Sequence, residues 1–158
     1  MFDLGRTFLA SVLRMPDAVA ISDGEMVLTY REWRDDILRV AAGLEMDMVL
    51  AKGDHFVTVL QNRHEAATLH MAAQIAGLVI TPLNWRASAE ELDYVLADSG
   101  AKLLLFEEAT RDIVETDVRS INIDHDWQGL RAGAPARAVS QATVLDKSVM
   151  LYTSGTTG

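Results

Sequence analysis

The chain has 158 residues and a mass of 17.3 kDa, the size of one domain, and its apolar content suffices to bury a core. Its 14 Lys and Arg against 23 Asp and Glu give a net charge of −9, which argues against partners that demand a basic face, such as nucleic acid or an anionic membrane. It has no Cys, which removes disulfides, thiolate metal sites and a cysteine nucleophile. It also has neither a membrane-length apolar run nor a basic leader, so a cytoplasmic protein without an integral membrane segment is expected.

Asp3 to Arg14 places Leu4, Phe8, Leu9, Val12 and Leu13 on one helical stripe, with Asp3 as N-cap and Pro16 beyond its end. Ala18 to Ser22 reads as a strand, Asp23-Gly24 as a tight turn and Glu25 to Leu28 as the hairpin partner. Thr29 with Glu32 forms a capping box for a helix to about Leu44, whose stripe is Trp33, Ile37, Val40, Ala41 and Leu44. His55 to Leu60 is a buried strand, and a helix from Arg63 to Ala76 follows, ended by Gly77. Leu78 to Leu83 is a strand whose Pro82 marks an end or an edge. After the loop Asn84-Trp85-Arg86, Ser88 with Glu91 caps a helix to Asp98 with Leu92, Val95 and Leu96 inward, stopped by Gly100. Lys102 to Phe106 is another strand, Glu108 to Thr116 a short acidic helix, Arg119 to Ile123 a weaker strand, and residues 124–142 a surface connection. Ser148 to Tyr152 is the final strand. This alternation requires right-handed crossovers of a mostly parallel sheet with flanking helices, an α/β architecture with a small hairpin near the start.

The sharpest chemical signal is Thr153-Ser154-Gly155-Thr156-Thr157-Gly158, directly after that last strand. Its hydroxyls can donate to phosphate oxygens, and its glycines allow backbone N–H groups to turn toward one anion. The carboxyl end of a strand is where open α/β sheets bind ligands. An ordinary polar turn is the competing reading. The segment is not a Walker loop, which needs GxxxxGK[ST]. His64 and His70 are six apart, on different faces of one helix, so no metal site is expected there. Ser154 has no partner histidine and no G-x-S-x-G elbow. Residues 90–126 carry 11 acidic and 3 basic side chains, read as solvated surface. Trp33 is assigned to the core, and Trp85 to a plug at the end of the sheet rather than a cleft wall.

Tyr152 to Gly158 resembles the start of the phosphate-binding signature of the adenylate-forming superfamily, which holds the acyl-CoA synthetases and the adenylation domains of peptide synthetases. Leu28-Thr29-Tyr30-Arg31-Glu32, Gly53-Asp54 with Val57 to Asn62 and Glu65, and Asn84-Trp85-Arg86 with Glu91 to Lys102 are similar to the amino-terminal region of that family. The resemblance covers residues 3–158. Asn84-Trp85-Arg86 looks more like the acyl-CoA synthetase branch. His55-Phe56 and Arg63-His64 depart from the family pattern and are read as peripheral variation; Met46-Asp47-Met48 has no assigned role.

The resemblance implies a two-step ligase: a carboxylic acid, expected to be fatty, and ATP give an acyl-adenylate and pyrophosphate, and coenzyme A then takes the acyl group. Thr153, Ser154, Gly155, Thr156, Thr157 and Gly158 would embrace the β- and γ-phosphates, with Mg²⁺ sharing their charge. No residue is assigned a catalytic or metal-ligating role. Residues 1–158 are expected to be the amino-terminal part of the AMP-binding domain, without the carboxy-terminal domain that carries the catalytic lysine, and inactive alone. Homodimerisation of the full-length protein is allowed for, as is self-association through an unpaired sheet edge at 148–152. The alternatives are a ligase that loads a carrier protein and a non-catalytic binding or scaffold protein.

Overall fold

The computed structural model describes residues 3–136, 141–143 and 145–153. Helix α1 (Leu4–Arg14) starts at Asp3, whose side chain accepts from the Arg6 N–H as expected of an N-cap. Only Gly5, Phe8 and Val12 of α1 are buried. Leu13 is 83% exposed and Leu4 also faces outward, which corrects the wide stripe: α1 lies at the margin of the core and offers it one narrow edge.

Strands β1 (Val19–Asp23) and β2 (Met26–Thr29) form the expected antiparallel hairpin. Gly24 takes φ 58° in the turn, a conformation that favours glycine. The Thr29–Glu32 capping box opens α2 (Tyr30–Ala42). The α-helix stops two residues earlier than expected and continues as a π-helical turn over Gly43–Asp47. A Cβ on Gly43 would lie 2.0 Å from the Leu130 carbonyl oxygen, so glycine there lets another helix touch the α2 backbone.

The larger sheet is parallel, in the order β4-β3-β5-β6, with β3 His55–Val59, β4 Val79–Leu83, β5 Leu103–Phe106 and β6 Ser120–Asn122. Between them run α3 (His64–Ala76) and α4 (Ala89–Ser99), ended by Gly77 and Gly100 in left-handed conformations. Alternation along β3 and β5 divides the core into two layers. Phe56, Leu103 and Leu105 pack with Leu69, Ile75, Ile37 and Phe8 on one face. Val57, Val59, Leu104 and Phe106 pack with Leu92, Val95 and Leu96 of α4 on the other. Trp33 joins the first layer as expected; its indole N–H donates to Thr68 Oγ1 (2.9 Å), and its ring meets Phe8 edge-on at 5.1 Å.

Beyond β5 the chain departs further from expectation. The acidic segment is a 3₁₀ helix over Glu108–Ile113. Ile123, read as the end of a strand, and residues 124–130, read as surface connection, form α5 (Ile123–Leu130), capped by Asn122. Its buried residues Ile123, Trp127 and Leu130 have helical spacing, a short signal masked by five polar or small neighbours. Residues 148–152 are not a full strand among the described residues. The Ile80 N–H donates to the Ser148 carbonyl (3.1 Å), and the Met150 N–H to the Ile80 carbonyl (3.0 Å). The next donor along β4 would be Pro82, which has no N–H, and the ladder stops at this one bridge.

Arg63 and Glu107 also reverse their readings. Glu107 is 4% exposed, unlike the solvated residues of the acidic block around it. Arg63 bonds Glu65 (2.8 and 3.0 Å), Glu107 (2.9 Å) and Asp124 (2.6 Å), so it ties α3 to the segment after β5 and to α5. The hydrogen bonds to Glu65 raise its pKa further, and the Glu108 backbone N–H together with Arg63 holds Asp124 below the usual carboxylate range.

Two stability predictions result. Gly43→Ala should cost about 1–3 kcal/mol, the usual range for overpacking, measured as a shift in urea midpoint at constant m-value; an unshifted midpoint would mean that α5 moves away freely. Arg63→Ala leaves two buried carboxylates without their cation and should cost about 3–5 kcal/mol. A loss below about 1 kcal/mol, the scale of exposed pairs, would show that water replaces the guanidinium.

Candidate active site

In the order β4-β3-β5-β6 the crossover from β3 runs to one side and the later strands lie on the other. The topological switch point, where open α/β sheets commonly bind ligands, therefore falls between the carboxyl ends of β3 and β5. In this chain the protein fills it. The Gln61 N–H donates to Glu107 Oε1 (2.7 Å), and Arg63 holds the other oxygen.

Open space lies instead at the β4 side. A cleft of about 410 Å³ is bordered by Leu83, Asn84, Arg86, Tyr94, Tyr152 and Thr153. The Ile80–Val149 bridge brings the chain to this cleft, and Thr153 lies exposed on it. Thr153 is thus the described member of the expected phosphate-binding set; Ser154, Gly155, Thr156, Thr157 and Gly158 lie outside the described residues. Arg86 stacks on Trp85, its guanidinium carbon 4.1 Å from the ring centroid, and has no carboxylate partner among the described residues. In the sequence Arg86 stands out only as part of Asn84-Trp85-Arg86; that it shares a cleft with Thr153 depends on the fold bringing residues 86 and 153 together. Glu91, also on the cleft, accepts from the Ser88 N–H (2.8 Å) in the cap of α4.

Tyr152 stands at the base of the cleft. Its hydroxyl donates to Asp98 Oδ2 (2.5 Å), and its ring meets Tyr94 edge-on at 6.0 Å. Burial, followed by the hydrogen bond to Asp98, pushes the phenol up to about 12, so it keeps its proton at neutral pH.

A second cleft of about 320 Å³ at the ends of β3 and β4 is lined by Thr58, Gln61, Asn62, His70, Asn84 and Trp85. Trp85 is half-buried and forms part of this wall, so the plug assignment is corrected. Burial lowers the His70 pKa, which favours the neutral imidazole. His64 points elsewhere: its Nδ1 lies 3.3 Å from Asp23 Oδ2 and 3.0 Å from Glu65 Oε2. The three residues offer ligand atoms within 4.8 Å of one another, a grouping that sequence spacing missed because Asp23 arrives from the hairpin turn. Their charge is already engaged, since Arg63 holds both oxygens of Glu65 and the His64 N–H donates to Asp23.

Comparison with known proteins bears on the fold and the family. The chain is 33% identical over 144 residues to 2-succinylbenzoate–CoA ligase of Bacillus velezensis, covering 90% of this chain and 29% of that protein. It therefore spans less than a third of the length of that curated relative. Among solved structures it matches VinN with a TM-score of 0.84 at 31% identity, covering 98% of this chain and 41% of that one. It matches the N-terminal domain of FACL13 from Mycobacterium tuberculosis with a TM-score of 0.89 at 23% identity, over 98% of this chain and 42% of that one, a likeness of fold. No helix among the described residues is long and apolar enough to cross a membrane. The AMP-binding enzyme family model matches residues 8–158, and the chain belongs to that adenylate-forming family.

Proposed function

We propose that this chain forms the phosphate-gripping part of an ATP-dependent acid–thiol ligase. A carboxylate oxygen attacks the α-phosphorus of ATP, the bond to the bridging oxygen breaks, and pyrophosphate leaves. The thiol of coenzyme A then attacks the acyl carbonyl and AMP departs, giving the thioester. The observation that carries this reading is that Thr153, the first residue of the hydroxyl-rich segment, and the Arg86 guanidinium, which has no carboxylate partner among the described residues, border one cleft. A donor hydroxyl and a cation facing one space suit a polyphosphate, whose charge grows on the leaving group during adenylation. The similarity to a CoA ligase supports coenzyme A as the acceptor. A fatty acid substrate and a cytoplasmic location belong to the same proposal.

The residues on the cleft act by binding and orientation. Thr153 and the hydroxyl and N–H donors of Ser154 to Gly158 would receive the β- and γ-phosphates, and Arg86 would draw the nucleotide to the cleft against the net negative charge of the chain. Mg²⁺ does not fit the described residues here: Glu91, the carboxylate on this cleft, is committed to the cap of α4. No step is assigned to the metal in this segment.

Two outcomes are expected in the full-length protein. Thr156→Ala or Thr157→Ala should slow adenylation by roughly 10- to 150-fold, the equivalent of a charge-assisted hydrogen bond of about 1.5–3 kcal/mol. Thioester formation from preformed acyl-adenylate should change far less. Equal losses in both half-reactions, for variants that fold normally, would mean that the loop orders the whole site and does not act chiefly on departing pyrophosphate. Arg86→Ala should raise the KM for MgATP by about 10-fold, one ionic hydrogen bond, and ATP–pyrophosphate exchange kinetics with an unchanged KM would remove Arg86 from the site.

A further inference from the structure

Chain segment 148–153 leaves the sheet early. Two backbone hydrogen bonds hold Ser148–Met150 on β4, and Pro82 ends the ladder there. Among the described residues, no backbone hydrogen bond secures 151–153, and Leu151 is 68% exposed. What holds this stretch is the Tyr152 side chain. It packs against the core layer of α4, donates its hydroxyl to Asp98 Oδ2 at 2.5 Å, and sets its ring at 88° to that of Tyr94.

Both partners sit on α4 four residues apart, a spacing that places them on one helix face. Asp98 lies in the last turn of α4, where no basic residue is present. A carboxylate at a helix carboxyl terminus opposes the helix dipole. Helix formation alone would disfavour Asp at this position; accepting from Tyr152 gives it a reason to be there. Leu92, Val95 and Leu96 anchor the opposite face of α4 in the core, so Asp98 and Tyr94 project from a rigid support.

We propose that Asp98 and Tyr94 are positioning residues for the phosphate-binding segment: by clamping Tyr152 they fix where the next residue, Thr153, is presented on the cleft. This rests on the phosphate-loop reading above. The clamp acts through Tyr152 and touches no substrate. Its effect is on preorganisation, since a donor at Thr153 whose backbone is already fixed loses less freedom when it meets polyphosphate.

The test has two arms. In the 158-residue chain, Tyr152→Phe and Asp98→Ala should each speed amide hydrogen exchange at Met150, whose N–H donates to the Ile80 carbonyl two residues before the clamp, by about 3- to 10-fold, the scale of one partly exposed hydrogen bond. The double variant should exchange no faster than either single one, and Asp98→Asn, whose amide oxygen still accepts, should remain near wild type. Unchanged rates, or multiplied effects in the double variant, would overturn the clamp whatever the loop binds. In the full-length protein the same two variants should raise the KM for MgATP in pyrophosphate exchange by a similar factor with kcat little changed, and Asp98→Asn should rescue it. Wild-type KM values alongside a damaging Thr156→Ala would defeat the positioning role alone. A harmless Thr156→Ala would defeat the phosphate-loop reading and this role with it, while the exchange arm would still report whether the tether exists.

Discussion

A carboxylate buried at the end of a strand has to be compensated, and Glu107 is compensated by the Gln61 N–H and by Arg63. Much of the arrangement depends on that requirement. Arg63 sits at the start of α3, just after β3, and reaches Glu107 just after β5 and Asp124 in α5. One guanidinium thereby joins the carboxyl ends of the two central strands and the helix that closes the fold. Glu65 and Glu107 would each be costly to bury alone, whereas with the more exposed Asp124 they satisfy most of the Arg63 fork of donors. The network also occupies the switch point, so ligand chemistry on this segment is displaced toward β4.

At the β4 edge a missing hydrogen bond shapes the site. Pro82 allows β4 to pair with β3 on one side and prevents a long ladder with residues 148–152 on the other. Backbone pairing beyond Met150 would make Thr153 part of a strand. Released from it, the chain is held by the Tyr152 side chain, and Thr153 borders the same cleft as Arg86. The Arg86 guanidinium, on the border of the cleft, is stacked on Trp85 and has no carboxylate to neutralise it among the described residues.

The fold was legible wherever the signal is local. The capping boxes at Thr29–Glu32 and Ser88–Glu91, the stops at Gly77 and Gly100, and the apolar runs of β3 and β5 are each contained within a few residues, and each forms as read. Helix α5 was missed because three apolar residues among polar neighbours carry too little periodicity to distinguish a short buried helix from a loop. The exposure of Leu13 was invisible for a different reason: periodicity identifies a stripe, but the width of the stripe that is covered depends on how much of the core lies against it.

For the site, the sequence by itself determined the residue chemistry: a run of hydroxyls and glycines after a short apolar stretch, and with it the family. It also determined that Pro82 would sit at a strand end or edge, because an absent N–H is a covalent fact. Only the tertiary structure decided that Arg63 is a hub, that Glu107 is buried within an otherwise solvated acidic block, and that Arg86 and Tyr152 border the same cleft. These are pairings between residues separated by 44 to 66 positions, such as the 44 between Arg63 and Glu107. No local propensity encodes them, since a side chain's partners across the sheet are set by strand order and crossover direction, which exist only once the parallel sheet has closed around β3.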